Sequence, residues 1–143
     1  MLYLVHHADA VGPHVDPQRP LSAAGQAHAA ALAERATAAG CAPAAIWHSG
    51  KLRARQTAEA FYRVCNPFAE FQMVRGLLPE DPPMYARLLV TGETRDVMLV
   101  GHMPNLRDVL ADLSPSSALF PLHGIVALES TEGAESWAEI WRL

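Results

Sequence analysis

Apolar and polar positions divide the chain into two alternating kinds of segment. Residues 2–5 (LYLV), Ala45–His48 (AIWH) and residues 97–100 (VMLV) are short runs with little or no polar alternation. Such runs read as strands covered on both faces. The stretches between them are longer and helical in character. Ser22 is placed to cap a helix that runs to about residue 39, with Gly40 as its stop. This segment is rich in alanine, the strongest helix former. A second helix is expected over residues 51–64, turning Ala54, Ala58, Phe61 and Tyr62 inward. A short strand follows at 71–74 and a short helix at 84–90, behind Pro82-Pro83. Another helix is expected over Asn105–Leu113. Residues 125–129 and 137–143 read as two strands joined by a turn around Gly133. Trp137 and Trp141, four apart, then fall on one side of the edge strand.

Strands that alternate with helices imply βαβ units. The expected fold class is α/β: a three-layer α/β/α sandwich with a mainly parallel central sheet and an antiparallel edge. The length, 143 residues, fits one domain spanning 1–143. Half of the residues are apolar and the net charge is -4, a balance that argues against a nucleic-acid partner. No apolar run approaches the roughly 18 residues that span a membrane. The apolar opening lacks the basic and long apolar regions of a signal peptide and reads as a strand. Cys41 and Cys65 form no CxxC pattern, so two reduced thiols in a cytoplasmic protein are expected.

The polar residues gain meaning once placed on this frame. His6-His7 follows the first strand, Ser49 and Arg53 follow the second, and Gly101-His102 follows the fourth. Ligands of open α/β sheets bind outside the carboxyl ends of the strands. Arg19, in the proline-containing loop 8–20, is able to join them. Imidazoles and guanidiniums that converge with little acid among them suit a phosphate. A metal pair at His6-His7 is disfavoured, because adjacent residues of an extended chain point to opposite faces. His14, His28, His48 and His123 read as structural or surface residues, with His14 and His123 able to line the rim. Arg55, two residues from Arg53, lies on another helix face and reads as solvated.

Four segments, in order, resemble the histidine phosphatase superfamily. LYLVHHADA is similar to its strand ending in Arg-His-Gly or Arg-His-Ala. RPLSAAGQAHA is similar to its Arg-Pro-Leu-Thr-x-x-Gly. SGKLRARQTAEAF is similar to Ser-Pro-x-x-Arg-Ala-x-Gln-Thr-Ala. VMLVGHMPNL is similar to the apolar strand followed by Gly-His-x-Pro. The resemblance implies that His7 is a nucleophile that takes up phosphate, and that Arg53 and His102 act beside it. It implies phosphate ligands at His6, Arg19, Arg53 and His102, with Ser49 and Gln56 as helpers. Asp9 and Glu80 are the candidate general acids. The implied enzyme is a phosphatase that needs no cofactor and no metal. Its partner would be a phosphorylated protein or a small phosphate ester. Larger members of the family insert helices before the fourth strand. Here about two dozen residues separate Val74 from Val97. An open, shallow pocket is therefore implied, as in the small SixA-type phosphohistidine phosphatases.

The chain departs from the pattern at position 6, where histidine replaces the family's first arginine. An unperturbed histidine is mostly neutral at pH 7 and can offer one donor inward, and a bound phosphate dianion is expected to favour His6 in its charged form. A second reading follows from the same departure: a weakened or inactive module that binds phosphate or a phosphoprotein without turning it over. Gly50 replaces the motif's proline and is expected to supply a tight turn.

Overall fold

The computed structural model describes residues 1–131 and 136–143, so the turn expected around Gly133 lies outside the described residues. Ten elements follow in order: β1 (Leu2–His6), α1 (Ala23–Ala38), β2 (Ala45–His48), α2 (Leu52–Val64), β3 (Glu70–Met73), α3 (Pro83–Val90), β4 (Val97–Gly101), α4 (Asn105–Leu113), β5 (Ile125–Ser130) and β6 (Trp137–Arg142). They build one six-stranded sheet in the order β3-β2-β4-β1-β5-β6. The pairs β3-β2, β2-β4 and β4-β1 are parallel, and β1-β5 and β5-β6 are antiparallel. This is the mainly parallel sheet with an antiparallel edge that the hydrophobic pattern implies.

The uninterrupted apolar strands are buried because helices cover both faces. Leu2, Leu4, Leu99 and Leu128 point to one face, where Val90 of α3 and Leu106, Val109, Leu110 and Leu113 of α4 pack on them. Tyr3, Val5, Met98 and Val100 point to the other, against Leu32 and Ala36 of α1 and Ala54, Ala58 and Phe61 of α2. Phe61 is fully buried. Full burial of such a side chain is worth about 1.5–3 kcal/mol. Tyr62, expected inside, is half-buried at the margin of the same cluster. Ser22 caps α1 by accepting from the Gly25 N–H at 3.0 Å, and Gly40, at φ +91°, ends it.

The two edge tryptophans correct the sequence reading. Trp137 packs on the α3/α4 side, whereas Trp141 packs on the α1/α2 side, its ring 6.0 Å from Tyr3. The cause is an irregular register. Ala127 pairs with Trp141 but Leu128 pairs with Glu139, so Ile140 is an extra residue that reverses the alternation. Cys41 and Cys65 are both free, and they lie in the same core cluster behind α1 and α2. No helix among the described residues is long and apolar enough to cross a membrane.

Topology places the chemistry. His6 pairs with Gly101 and His48 with Val100, so β1, β4 and β2 end side by side. Residues 7, 49 and 102 leave the sheet at one edge.

Candidate active site

At the carboxyl edge β1 ends at His6, and the His7 N–H donates to Gly101 O at 3.1 Å. The two rings lie together there. The His6 and His7 ring centroids are 4.6 Å apart, edge to face. The opposite-face expectation fails here because β1 ends at His6 and His7 is no longer extended strand. The His102 ring lies 5.0 Å from His7 on the other side.

Hydrogen bonds fix the nitrogen roles. His7 Nδ1 lies 2.7 Å from Ala8 O. A carbonyl only accepts, so Nδ1 carries the proton and neutral His7 presents Nε2 as a lone pair. His102 Nε2 contacts Ser49 Oγ at 2.6 Å, and Ser49 Oγ also accepts from the Lys51 N–H at 3.3 Å. His102 Nδ1 and Arg53 Nε are buried with no partner among the described residues. Buried polar atoms are ordinarily satisfied. Two such atoms on residues that both act electrostatically on His7 or on each other describe a site built for an anion.

Burial is the largest influence on all three imidazoles. It holds His7 down to about 4, and Arg53, His123 and Arg19 push in the same direction, against the raising effect of the Ala8 carbonyl. His6 and His102 are each pushed down to about 3, first by burial and then by their histidine neighbours and Arg53. Burial and the nearby Arg19 also lower Arg53. The site is thus crowded with groups that lack a counter-charge, and a dianion would relieve them.

A supporting layer holds these groups. The Ala8 N–H donates to Thr57 Oγ1 at 3.0 Å, and Thr57 donates to Arg53 O at 2.8 Å, linking the nucleophile loop to the turn of α2 that carries Arg53. Gln56 Oε1 accepts from the Leu21 N–H at 2.7 Å, which holds the loop bearing Arg19. Arg19 itself, at φ +50°, donates from Nε to Val11 O at 3.0 Å. Gly50 makes its turn at φ +92°. Gly25 is needed for another reason: a Cβ there would sit 2.0 Å from Asp9 O. Its absence lets the first turn of α1 close on the loop after His7.

The two candidate acids differ in their surroundings. The Asp9 carboxylate accepts from Ser22 Oγ at 2.7 Å, beside the start of α1. Glu80 is exposed in the turn before α3. Asn105 steadies that turn by donating from Nδ2 to Asp81 O at 2.8 Å and to Gly76 O at 3.5 Å. Arg55 pairs with Glu59 at 2.8 Å on the solvated face, as its spacing implies.

His6 takes the neutral form expected of an unperturbed histidine at pH 7. It is 6 % exposed, and its Nδ1 accepts the His123 N–H at 2.9 Å. A nitrogen that accepts carries no proton, so His6 is a neutral imidazole here. His123 belongs to the site more closely than its sequence position suggests. Its ring stacks on His6 at 4.8 Å and 13°, and its Nδ1 donates to His7 O at 2.6 Å. Thr57 and Asn105 were also silent as single residues. The only sequence signal for His123 is its place before Gly124, at the start of the strand that pairs with β1.

Comparison with known proteins shows the family and the fold. The model of the histidine phosphatase superfamily (branch 1) matches residues 2–77. The protein histidine phosphatase SixA, solved with tungstate, superposes with a TM-score of 0.84 at 21% identity, covering 99% of this chain and 95% of that one. SixA from Agrobacterium tumefaciens gives 0.79 at 27% identity, with 99% and 96% covered. The ecdysone phosphate phosphatase of Bombix mori, also with tungstate, gives 0.74 at 12% identity, with 98% and 91% covered. No curated protein matches the sequence significantly.

Proposed function

Because the chain belongs to the histidine phosphatase superfamily, branch 1, we propose that it hydrolyses phosphorylated substrates through a phosphohistidine intermediate on His7. The observation that carries this reading is the bond from His7 Nδ1 to the Ala8 carbonyl, which leaves Nε2 as a free base in a pocket with an unpartnered Arg53 Nε and His102 Nδ1. In the first step the Nε2 lone pair forms a bond to phosphorus, the bond to the leaving group breaks, and a carboxylic acid supplies the leaving group's proton. In the second step water attacks the same phosphorus and gives its proton to that carboxylate. The P–N bond breaks, and His7 returns neutral with inorganic phosphate released. Arg53, Arg19, His102 and His6 hold the equatorial oxygens, whose charge grows toward the transition state.

Glu80 is the freer of the two candidate acids, since Asp9 is engaged with Ser22. A protein phosphohistidine is the favoured substrate. The structural likeness to SixA supports it, as does an apolar groove of about 450 Å³ lined by Met103, Pro104, Arg107, Leu119, Phe120 and Leu122. Its lining includes Met103 and Leu122, the chain neighbours of His102 and His123, and a partner protein's surface would lie there. The reading that the chain only binds phosphate is favoured by one observation, the loss of a permanent cation at position 6.

The test is a single-turnover assay with a phosphohistidine peptide and with p-nitrophenyl phosphate. Wild type should pass ³²P to His7 and then to water, and His7→Ala should do neither. Phosphate binding without any transfer to His7 would establish the binding-module reading instead. Glu80→Gln should slow transfer from the peptide to His7 while sparing transfer from p-nitrophenyl phosphate, whose leaving group needs no proton, and release of phosphate from His7 should slow equally for both.

A further inference from the structure

The nitrogens of His6, His7 and His123 lie within 4.8 Å of one another, an arrangement that invites a metal. The hydrogen bonds around them speak for a different use. His7 Nδ1 and His123 Nδ1 each face a carbonyl oxygen, as metal-bound imidazoles usually do. His6 does not: its Nδ1 faces the backbone N–H of His123. To give a metal its Nε2 lone pair, neutral His6 would have to carry the proton on Nδ1, against that N–H. With the N–H in place, the only proton of neutral His6 is on Nε2, and no described residue accepts it.

We propose that His123 is a positioning residue whose backbone N–H and stacked ring lock His6 as a neutral Nε2–H donor to phosphate, in the place the family gives to a charged guanidinium. The proposal rests on the phosphatase reading and adds to it how the site works without its arginine. Three contacts hold the lock. The His123 N–H bonds His6 Nδ1, the His123 ring stacks on His6, and His123 Nδ1–H reaches back to His7 O. His123 takes φ +50°, which turns its N–H and its ring toward the same neighbour. The groups that surround His6 are His7 just after β1, His102 beyond β4, Arg53 from α2 and His123 before β5, and none of them is an acid. Burial and these neighbours keep His6 neutral down to about 3. One consequence reverses the family expectation. Arginine has no acceptor, so restoring it at position 6 would strand the His123 N–H and force a second cation against Arg53.

The experiment combines ¹⁵N-histidine NMR of the whole protein with inhibition by inorganic phosphate. His6 should show a protonated Nε2 and an unprotonated Nδ1, unchanged from pH 8 to pH 5, both free and with phosphate bound. Phosphate affinity, corrected for the ligand's own ionisation, should stay flat over that range. His6→Ala and His6→Arg should each weaken phosphate roughly ten-fold, the cost of an unmet buried donor or a lost ligand. His6→Gln, which keeps a neutral acceptor and donor, should weaken it least of the three. His123→Ala, which keeps the N–H but loses the stacked ring and the bond to His7 O, should let His6 sample its other tautomer as a minor form. A protonated Nδ1 on His6, titration of His6 near its ordinary value, or His6→Arg binding more tightly than wild type would overturn the proposal. So would tight Zn²⁺ binding that shifts the His6 nitrogens in the wild type. If wild type binds no phosphate at all, the phosphatase reading fails and the donor role fails with it. Intact phosphate binding with the wrong tautomer defeats this proposal alone.

Discussion

The two flanks of His7 are made of different materials. On the α2 side stand a permanent cation, Arg53, and His102, whose ring is held by a side-chain hydroxyl of Ser49 at 2.6 Å. On the β5 side stand His6, a neutral ring, and His123, stacked on it at 4.8 Å, both held by backbone N–H and C=O groups. The first flank supplies charge; the second supplies fixed direction. An anion pocket can therefore lose one of its cations and remain a pocket, provided that the replacement donor cannot turn away. If this division is real, changes on the α2 flank should act mainly on rate, and changes on the β5 flank mainly on phosphate affinity.

The sharpest break in that division is Arg53→Ala. Loss of one preorganised donor from a developing oxyanion typically costs about 10²–10³ in kcat, and here no other permanent cation from α2 points inward, since Arg55 is paired with Glu59. Arg53→Lys should recover only part of the loss, because an ammonium is a point charge without the planar fork. A steady-state comparison of the three enzymes would check this. If Arg53→Ala raised KM alone and left kcat intact, Arg53 would be a binding group like His6 and the two flanks would not differ.

Acid should expose the cost of keeping so many imidazoles neutral. His6, His7 and His102 have their folded pKa depressed to about 3–4, whereas the unfolded chain takes up protons near the ordinary value of 6.5. Between those limits the unfolded state binds more protons, so stability is complete above about pH 7 and falls as pH drops from 6.5 toward 4. Each imidazole contributes at most about 1.4 kcal/mol per pH unit within that window. Thermal melts should show a Tm clearly lower at pH 5 than at pH 7, with phosphate restoring part of the difference. His6→Gln removes one of the three groups and should shallow the slope by about a third. A Tm flat from pH 7 to pH 5 would mean that the imidazoles gain protons freely in the folded state, and the neutral flank would be lost as a concept.

Gly25→Ala probes the loop that both flanks share. The added methyl would lie 2.0 Å from the Asp9 carbonyl, so either α1 or the loop behind His7 must move. Overpacking of this kind costs about 1–3 kcal/mol. Denaturant melts should register that loss, and activity should fall with it, because Ala8 and Thr57 tie the same loop to Arg53. Unchanged stability would show that the loop yields easily.

How legible these parts were in the sequence follows the same division. The strands of the parallel core declared themselves because burial on both faces leaves uninterrupted apolar runs, and Asn105–Leu113 was delimited by the prolines around it. His7, Arg53 and His102 stood out because each sits in a run of neighbours that resembles a family motif. The β5 flank was obscure for a physical reason. His123 reaches the site through a pairing between β1 and β5, some 116 residues apart in the chain, and backbone bonds leave no side-chain pattern to read. The same limit explains the tryptophans: one extra residue at Ile140 reverses the strand's alternation without altering its composition. The tautomer of His6 was not legible because it depends on a main-chain N–H that any residue at position 123 would carry.

The smallest expected effect compares the two locks directly. His102 must present Nδ1–H to an anion, since that nitrogen is buried without a partner among the described residues. This requires Nε2 to be the accepting nitrogen, and so requires the Ser49 hydroxyl to donate to it. The hydroxyl is suited to do so, because the Lys51 N–H at 3.3 Å already fills one of its acceptor positions. Ser49→Ala deletes the donor and leaves the ring free to exchange tautomers. The loss is one net hydrogen bond, about 0.5–1.5 kcal/mol, or roughly three- to ten-fold in turnover. Ser49→Thr should retain most of the activity. The β5 lock can be weakened but not abolished in this way, because every residue but proline at position 123 brings its own N–H, and His123→Ala removes only the stacked ring and the bond to His7 O. Kinetics of Ser49→Ala and His123→Ala, read beside the histidine tautomers by NMR, would set the two against each other. His102 should lose its tautomer in the first variant while His6 keeps its own, and in the second only His6 should loosen. If Ser49→Ala left His102 fixed with Nδ1–H, its direction would come from the buried surroundings alone, and both flanks would be held by the fold rather than by one hydroxyl and one turn of backbone.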